Sequence, residues 1–203
     1  MRVMIVGQRW LAAEVLALCI ERGDAVVAVA APSRLDRLGA AATVAGIPVV
    51  EVVDALLVDH VPAGVDVIVC AHAHAFVTAG ARAAARLGAL GYHPSLLPRH
   101  RGRDAIRWAI HMKEDITGGT VYWMTDKADA GPVAMQEWCF IRPEDGPDSL
   151  WRRELGPMGV RLFGRVLADL DAGKVIAREQ DEGMATWEPS WSRRSLAQGA
   201  GGL

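Results

Sequence analysis

The chain carries little excess charge of either sign. Its 22 lysines and arginines stand against 24 aspartates and glutamates, a formal net charge of −2 and a pI of about 6.3. That balance makes no strong case for nucleic acid, whose capture rests on neutralising phosphates, or for an anionic membrane. Long apolar runs are also missing. No stretch of 18 apolar residues exists to span a bilayer. The apolar opening Met1–Gly7 is too short for a signal-peptide core, and no small-residue cleavage site follows it. Together these absences predict a cytoplasmic protein. Cysteine is scarce: Cys19, Cys70 and Cys139 are odd in number and lack CxxC spacing. They suit reduced, buried thiols better than a disulfide framework or a thiolate metal site.

What is present fits one domain. A chain of 203 residues buries roughly 70% of its unfolded surface and needs no staple. Short apolar runs alternate with helical patterns through the first half. Strands are expected at Val3–Val6, Ala25–Ala30, Ile47–Val53, Val65–Ala71 and Ala89–Tyr92. Helices are expected at Trp10–Glu21, Leu35–Ala45, Ala55–Asp59 and Ala79–Arg86. Continuous Val/Ile/Ala strands separated by helices predict an α/β fold, a mostly parallel central sheet with helices on both faces. Sites in such sheets form beyond the carboxyl ends of the strands, where His72, His74 and His93 fall.

The second half reads differently. A helix at Asp104–Met112 is followed by strands at Gly119–Met124 and Val133–Ile141, then a long helical pattern from Ser149 to Leu170. Gly156-Pro157 is expected to bend or interrupt that helix. Residues 1–175 are assigned to a catalytic domain and 176–203 to a C-terminal extension, with Gln198–Leu203 expected to be disordered.

His93 and Asp129 both end apolar strands, and a carboxylate beside an imidazole favours and orients the imidazolium. Spacing alone favours the plainer reading, in which His93 caps a loop and Asp129 forms an Asx turn before Gly131. His72 and His74, at i and i+2 with no carboxylate or cysteine adjacent, make no metal site.

Three tracts change that balance. Tyr92-His93-Pro94-Ser95-Leu96-Leu97-Pro98, with Arg101-Gly102 after it, resembles the signature loop of the 10-formyltetrahydrofolate-dependent formyltransferases. Thr117–Val121 resembles the strand that follows in that family, and Ala128-Asp129-Ala130-Gly131-Pro132-Val133 resembles its acidic loop. The resemblance implies a Rossmann-like formyltransferase fold, 10-formyltetrahydrofolate as co-substrate, and His93 and Asp129 as catalytic residues. It implies a folate site lined by Ala73, Ala75, Phe76, Val77, Leu90, Met124, Thr125 and Ala128.

The family's third catalytic residue is an asparagine, whose amide helps hold the developing oxyanion. Gly91 stands at its position here. Tyr92, His72 or His74 are candidates to supply the missing donor, with Gly91 and Ser95 as further oxyanion or acceptor contacts. The hydrolase domain of 10-formyltetrahydrofolate dehydrogenase has a similar Tyr-His-Pro-Ser-Leu-Leu-Pro loop without the asparagine, and gives the formyl group to water.

The resemblance also bears on the acceptor. Gly7-Gln8-Arg9-Trp10 lacks the glycine cradle with which the glycinamide-ribonucleotide branch holds phosphate. The methionyl-tRNA branch has an additional C-terminal barrel that 203 residues leave no room to build. Arg9, Arg99, Arg101 and Arg103 form either an anion contact or a solvated rim. The expectation is formyl transfer to an amine of a small-molecule acceptor. Hydrolysis and a catalytically weak folate-binding module are the alternatives, and a homodimer is left open.

Overall fold

The computed structural model describes residues 1–191, so the expectation for Gln198–Leu203 lies outside the described residues. The chain runs β1 (Arg2–Gly7), α1 (Arg9–Glu21), β2 (Ala25–Ala31), α2 (Arg37–Val44), β3 (Val49–Glu51), β4 (Ala55–Leu56), β5 (Val67–Ala71), β6 (Phe76–Val77), α3 (Ala79–Ala84) and β7 (Ala89–His93). It continues through α4 (Ala105–His111), β8 (Ile116–Trp123), β9 (Val133–Phe140), α5 (Pro147–Leu150) and α6 (Gly156–Asp171). Seven strands form one sheet in the order β3-β2-β1-β5-β7-β8-β9. The first five are parallel; β8 runs antiparallel to β7, and β9 antiparallel to β8.

Both faces are covered, which is why the strands read as continuous apolar runs. Alternate residues of β1 feed different cores. Val3 and Ile5 pack with Leu11, Val15, Leu16, Leu162 and Phe163 of α1 and α6. Met4 and Val6 pack with Ile68, Cys70, Ala81 and Ala85 on the α3 side. All three cysteines are buried and unpaired, and burial pushes Cys19 and Cys70 up to about 12.

One local expectation is corrected, and another, the interruption at Gly156-Pro157, is met one turn earlier. Ala55–Asp59 is not a helix. Ala55 and Leu56 pair with Phe76 and Val77 in a separate two-stranded ribbon, followed by a 3₁₀ turn at Val58–His60. A five-residue segment is too short to sustain helix against burial of Leu56 in the sheet-side core. In the long C-terminal helix the irregularity precedes Gly156-Pro157 as a π-helical turn, Trp151–Leu155. Pro157 lacks the N–H that an α-helix would direct to the Arg153 carbonyl, and the preceding turn widens.

Beyond α6 the chain is stitched back onto the sheet edge. Arg178 and Val133 exchange backbone hydrogen bonds of 2.9 and 2.7 Å, and Arg101 bridges to Trp187. Residues 178–191 therefore run along the loops that follow β7 and β8.

Candidate active site

The sheet order reverses at β1, with β2 on one side and β5 on the other. The carboxyl ends of neighbouring parallel strands diverge there and leave a crevice. A cleft of about 1350 Å³ opens at this edge. Gly7 ends β1 against Ala71; a Cβ on it would lie 1.9 Å from the Ala71 carbonyl oxygen.

His93 is the last residue of β7 and is buried. Its Nε2 lies 2.7 Å from the His100 carbonyl oxygen, which can only accept, so Nε2 carries the hydrogen. That leaves Nδ1 as the basic nitrogen, 3.7 Å from Asp129 Oδ2. Asp129 adopts φ 52° and is fixed from three sides. Oδ2 accepts from the Gly102 N–H at 2.9 Å, and Oδ1 accepts from the Tyr122 hydroxyl at 2.8 Å. Its carbonyl accepts from Gln180 Nε2 at 2.9 Å; the same amide donates to Gly131 at 2.7 Å. Arg101 holds Gln180 and Glu182 in turn. Arg9 and His72, which also line the cleft, share the positive φ of Asp129 at 60° and 54°.

Second-layer contacts hold the loop after His93. Thr120 Oγ1 donates to the Ser95 carbonyl at 2.7 Å and accepts from Leu97 N–H and Gln136 Nε2. His100 is buried, with each ring nitrogen 3.1 Å from a carboxylate: Nε2 from Glu114 and Nδ1 from Glu188.

The cleft gathers His93, Asp129, Gly91, Tyr92, His72, His74, Ala73, Ala75, Met124 and Ala128 among the residues expected at the site, Tyr92 with its ring turned away. Others are placed differently. Leu90 and the ring of Tyr92 pack into the core on the α1–α6 face, because alternate residues of β7 point to opposite sides while Gly91 and His93 face the cleft. The Tyr92 hydroxyl donates to the Leu155 carbonyl at 2.6 Å and is committed there. Ser95 is fully buried and donates to the Arg99 carbonyl. Phe76 and Val77 are drawn into the ribbon with β4, Phe76 exposed and Val77 buried. Thr125 caps its own turn at Lys127. Of the arginines, Arg9 and Arg103 line the cleft, whereas Arg99 pairs with Glu114 and Arg101 is consumed by Gln180 and Glu182.

Burial, reinforced by His74 and Arg9, pushes His72 down to about 4; burial, then Arg103 and Arg9, lowers His74. The first backbone N–H of α1, on Arg9, is taken by Asp36 at 3.0 and 3.1 Å. An internal carboxylate thus occupies this helix terminus. Among the described residues no cluster of three or more His, Cys, Asp or Glu side chains is placed to hold a metal, and no helix is long and apolar enough to cross a membrane.

Sequence reading missed Tyr122. Strand β8 places it directly opposite Gly91, and opposed residues share a face. A Cβ on Gly91 would lie 2.9 Å from Tyr122 Cε1 and 3.1 Å from its hydroxyl oxygen. The phenol fills the space that a side chain at 91 would enter. The signal available in the sequence was the alternation Thr120-Val121-Tyr122, polar residues on one face of a strand beside the His93 strand.

Comparison with known proteins gives the family and the fold. The formyl transferase family model matches residues 3–159, so the chain belongs to the formyl transferase family. It is 41% identical over 101 residues to the mitochondrial 10-formyltetrahydrofolate dehydrogenase of Mus musculus, covering 50% of this chain and 11% of that protein. It is 31% identical over 211 residues to the methionyl-tRNA formyltransferase of Thermotoga maritima, covering 97% of this chain and 67% of that protein. The chain spans only 11–22% of the length of the dehydrogenases it matches. The solved glycinamide ribonucleotide transformylase 1 of Symbiobacterium toebii shares the fold at TM-score 0.75 and 21% identity, over 89% of this chain and 94% of that one.

Proposed function

We propose that the cleft binds 10-formyltetrahydrofolate and that the chain transfers its formyl group to an amine of a small-molecule acceptor. The observation that carries this is the His93–Asp129 pair: Nε2 locked on a carbonyl, Nδ1 free and 3.7 Å from a carboxylate, both lining one cleft. The acceptor nitrogen attacks the formyl carbon, giving a tetrahedral adduct. That nitrogen must then lose a proton while the departing folate nitrogen gains one as its bond to carbon breaks. His93 Nδ1 takes and returns the proton, and Asp129 stabilises the transient imidazolium. Ala73, Ala75, Met124 and Ala128 offer the folate an apolar wall, while the same cleft continues past His93 to Trp10, Asp148 and Trp151, which leaves room for an acceptor.

Water as acceptor is the second reading. It is supported by the absent side chain at Gly91 and by the 41% identity to a 10-formyltetrahydrofolate dehydrogenase. The test incubates purified chain with 10-formyltetrahydrofolate, with and without candidate amines, and follows tetrahydrofolate, formate and formylated amine. Amine-dependent product supports transfer; formate without amine supports hydrolysis. Tight folate binding without either product means a binding module. Unchanged turnover in both His93→Ala and Asp129→Asn removes the site assignment.

A further inference from the structure

Attack on a formyl carbon turns its carbonyl oxygen into an oxyanion, and a protein site needs a hydrogen-bond donor aimed at it. An asparagine cannot be that donor here, because the 203-residue sequence contains none. His93 is committed to proton transfer through Nδ1, and its Nε2 hydrogen is held by the His100 carbonyl. The Tyr92 hydroxyl is bound on the opposite face of the sheet. Of the other side-chain donors that line the cleft, His72 and His74 among them, Tyr122 is the one whose ring lies against the bare Cα of Gly91 and whose hydroxyl oxygen stands beside Asp129.

We infer that Tyr122 is a catalytic residue that donates its hydroxyl hydrogen bond to the formyl oxyanion, in the space opened by Gly91. The inference rests on the formyl-transfer reading above. In the resting site the hydrogen points to Asp129 Oδ1 at 2.8 Å. As the adduct forms, it turns about the Cζ–Oη bond toward the oxyanion. Asp129 loses that contact while His93 Nδ1 gains a proton 3.7 Å away, so the carboxylate exchanges a neutral donor for a cation and keeps the Gly102 N–H. No proton leaves Tyr122. Burial first, then the neighbouring Asp129, holds its pKa well above the ordinary phenol value, so the donor is present throughout the working pH range. Glycine at 91 is then a requirement of the phenol: a Cβ 2.9 Å from the ring would displace it.

The test measures release of tetrahydrofolate from 10-formyltetrahydrofolate by the full chain across pH. Tyr122→Phe keeps the ring and removes the donor. The expected result is a fall in kcat of about 100- to 1000-fold, with KM changed little and the pH profile lowered without a shift. A kcat within a few-fold of wild type overturns the inference. So does a loss that appears only as a displaced pH limb, since that is what a role confined to positioning Asp129 predicts. A second pair separates the two roles again. Tyr122→Val loses both contacts, and Gly91→Asn/Tyr122→Val restores only an oxyanion donor. Recovery in the double variant supports the inference; a folded double variant no faster than Tyr122→Val overturns it. Wild type that binds folate but turns nothing over overturns the functional reading and this inference together. Wild-type turnover with an unaffected Tyr122→Phe variant overturns this inference alone.

Discussion

Replacing Thr120 by valine tests whether the loop after His93 is held by one buried hydroxyl. Valine matches threonine in shape, so the substitution opens no cavity to speak of and isolates the hydrogen bonds. Thr120 and Ser95 are fully buried and Leu97 nearly so. The hydroxyl donates to the Ser95 carbonyl at 2.7 Å and accepts from the Leu97 N–H at 3.2 Å and from Gln136 at 2.8 Å. Gln136 keeps a second acceptor in the Leu97 carbonyl at 2.9 Å, so its cost is small. The Ser95 carbonyl and the Leu97 N–H lose their partner, at about 1–3 kcal/mol each and a total of about 2–6 kcal/mol. For a chain of this size that lowers Tm by about 4–24 °C. Urea unfolding reads the same quantity as a fall in midpoint at unchanged slope. Thr120→Ser, which keeps the hydroxyl, should stay within about 1–1.5 kcal/mol of wild type. A Thr120→Val protein within about 0.5 kcal/mol of wild type refutes the reasoning.

Gln180→Leu removes the two donations that hold the Asp129 and Gly131 carbonyls. Steady-state kinetics should show kcat lower by about 10- to 100-fold with folate affinity largely kept; an unchanged kcat means the C-terminal segment does not position the site. His72 should make the protein acid-sensitive. Its folded pKa of about 4 lies below the ordinary 6.5, so between those values the unfolded chain binds the extra proton. Stability therefore rises with pH across that window and falls as pH drops through it. Urea titrations at several pH values should give His72→Gln a shallower dependence than wild type, and equal slopes would contradict the burial argument.

The limits of sequence reading follow from parity and distance. Strand identity in β1, β2, β5 and β7 was legible because their residues are apolar on both faces. Ala55–Leu56 was not, because a two-residue strand exists only through its partner Phe76–Val77. The six expected site residues whose side chains turn elsewhere fall into two groups. Leu90 and Tyr92 sit beside His93 in sequence but one position out of phase, and a pleated strand sends them to the other face. Phe76, Val77, Ser95 and Thr125 lie in the expected loops and strand but spend their side chains on local partners. The polar segment after Gly173 looked like a tail. Its Gln180 and Arg178 reach Asp129, Gly131 and Val133, contacts between residues some 45–51 apart that no local pattern announces.

The chain by itself determined the parallel sheet, the family and the His93–Asp129 pair, because these are written as contiguous motifs and as the period of apolar residues. It also showed an empty position at Gly91. What occupies that position was decided by the tertiary structure. Gly91 meets Tyr122 through the register of β7 on β8. One residue of slip in that register would turn the phenol to the opposite face.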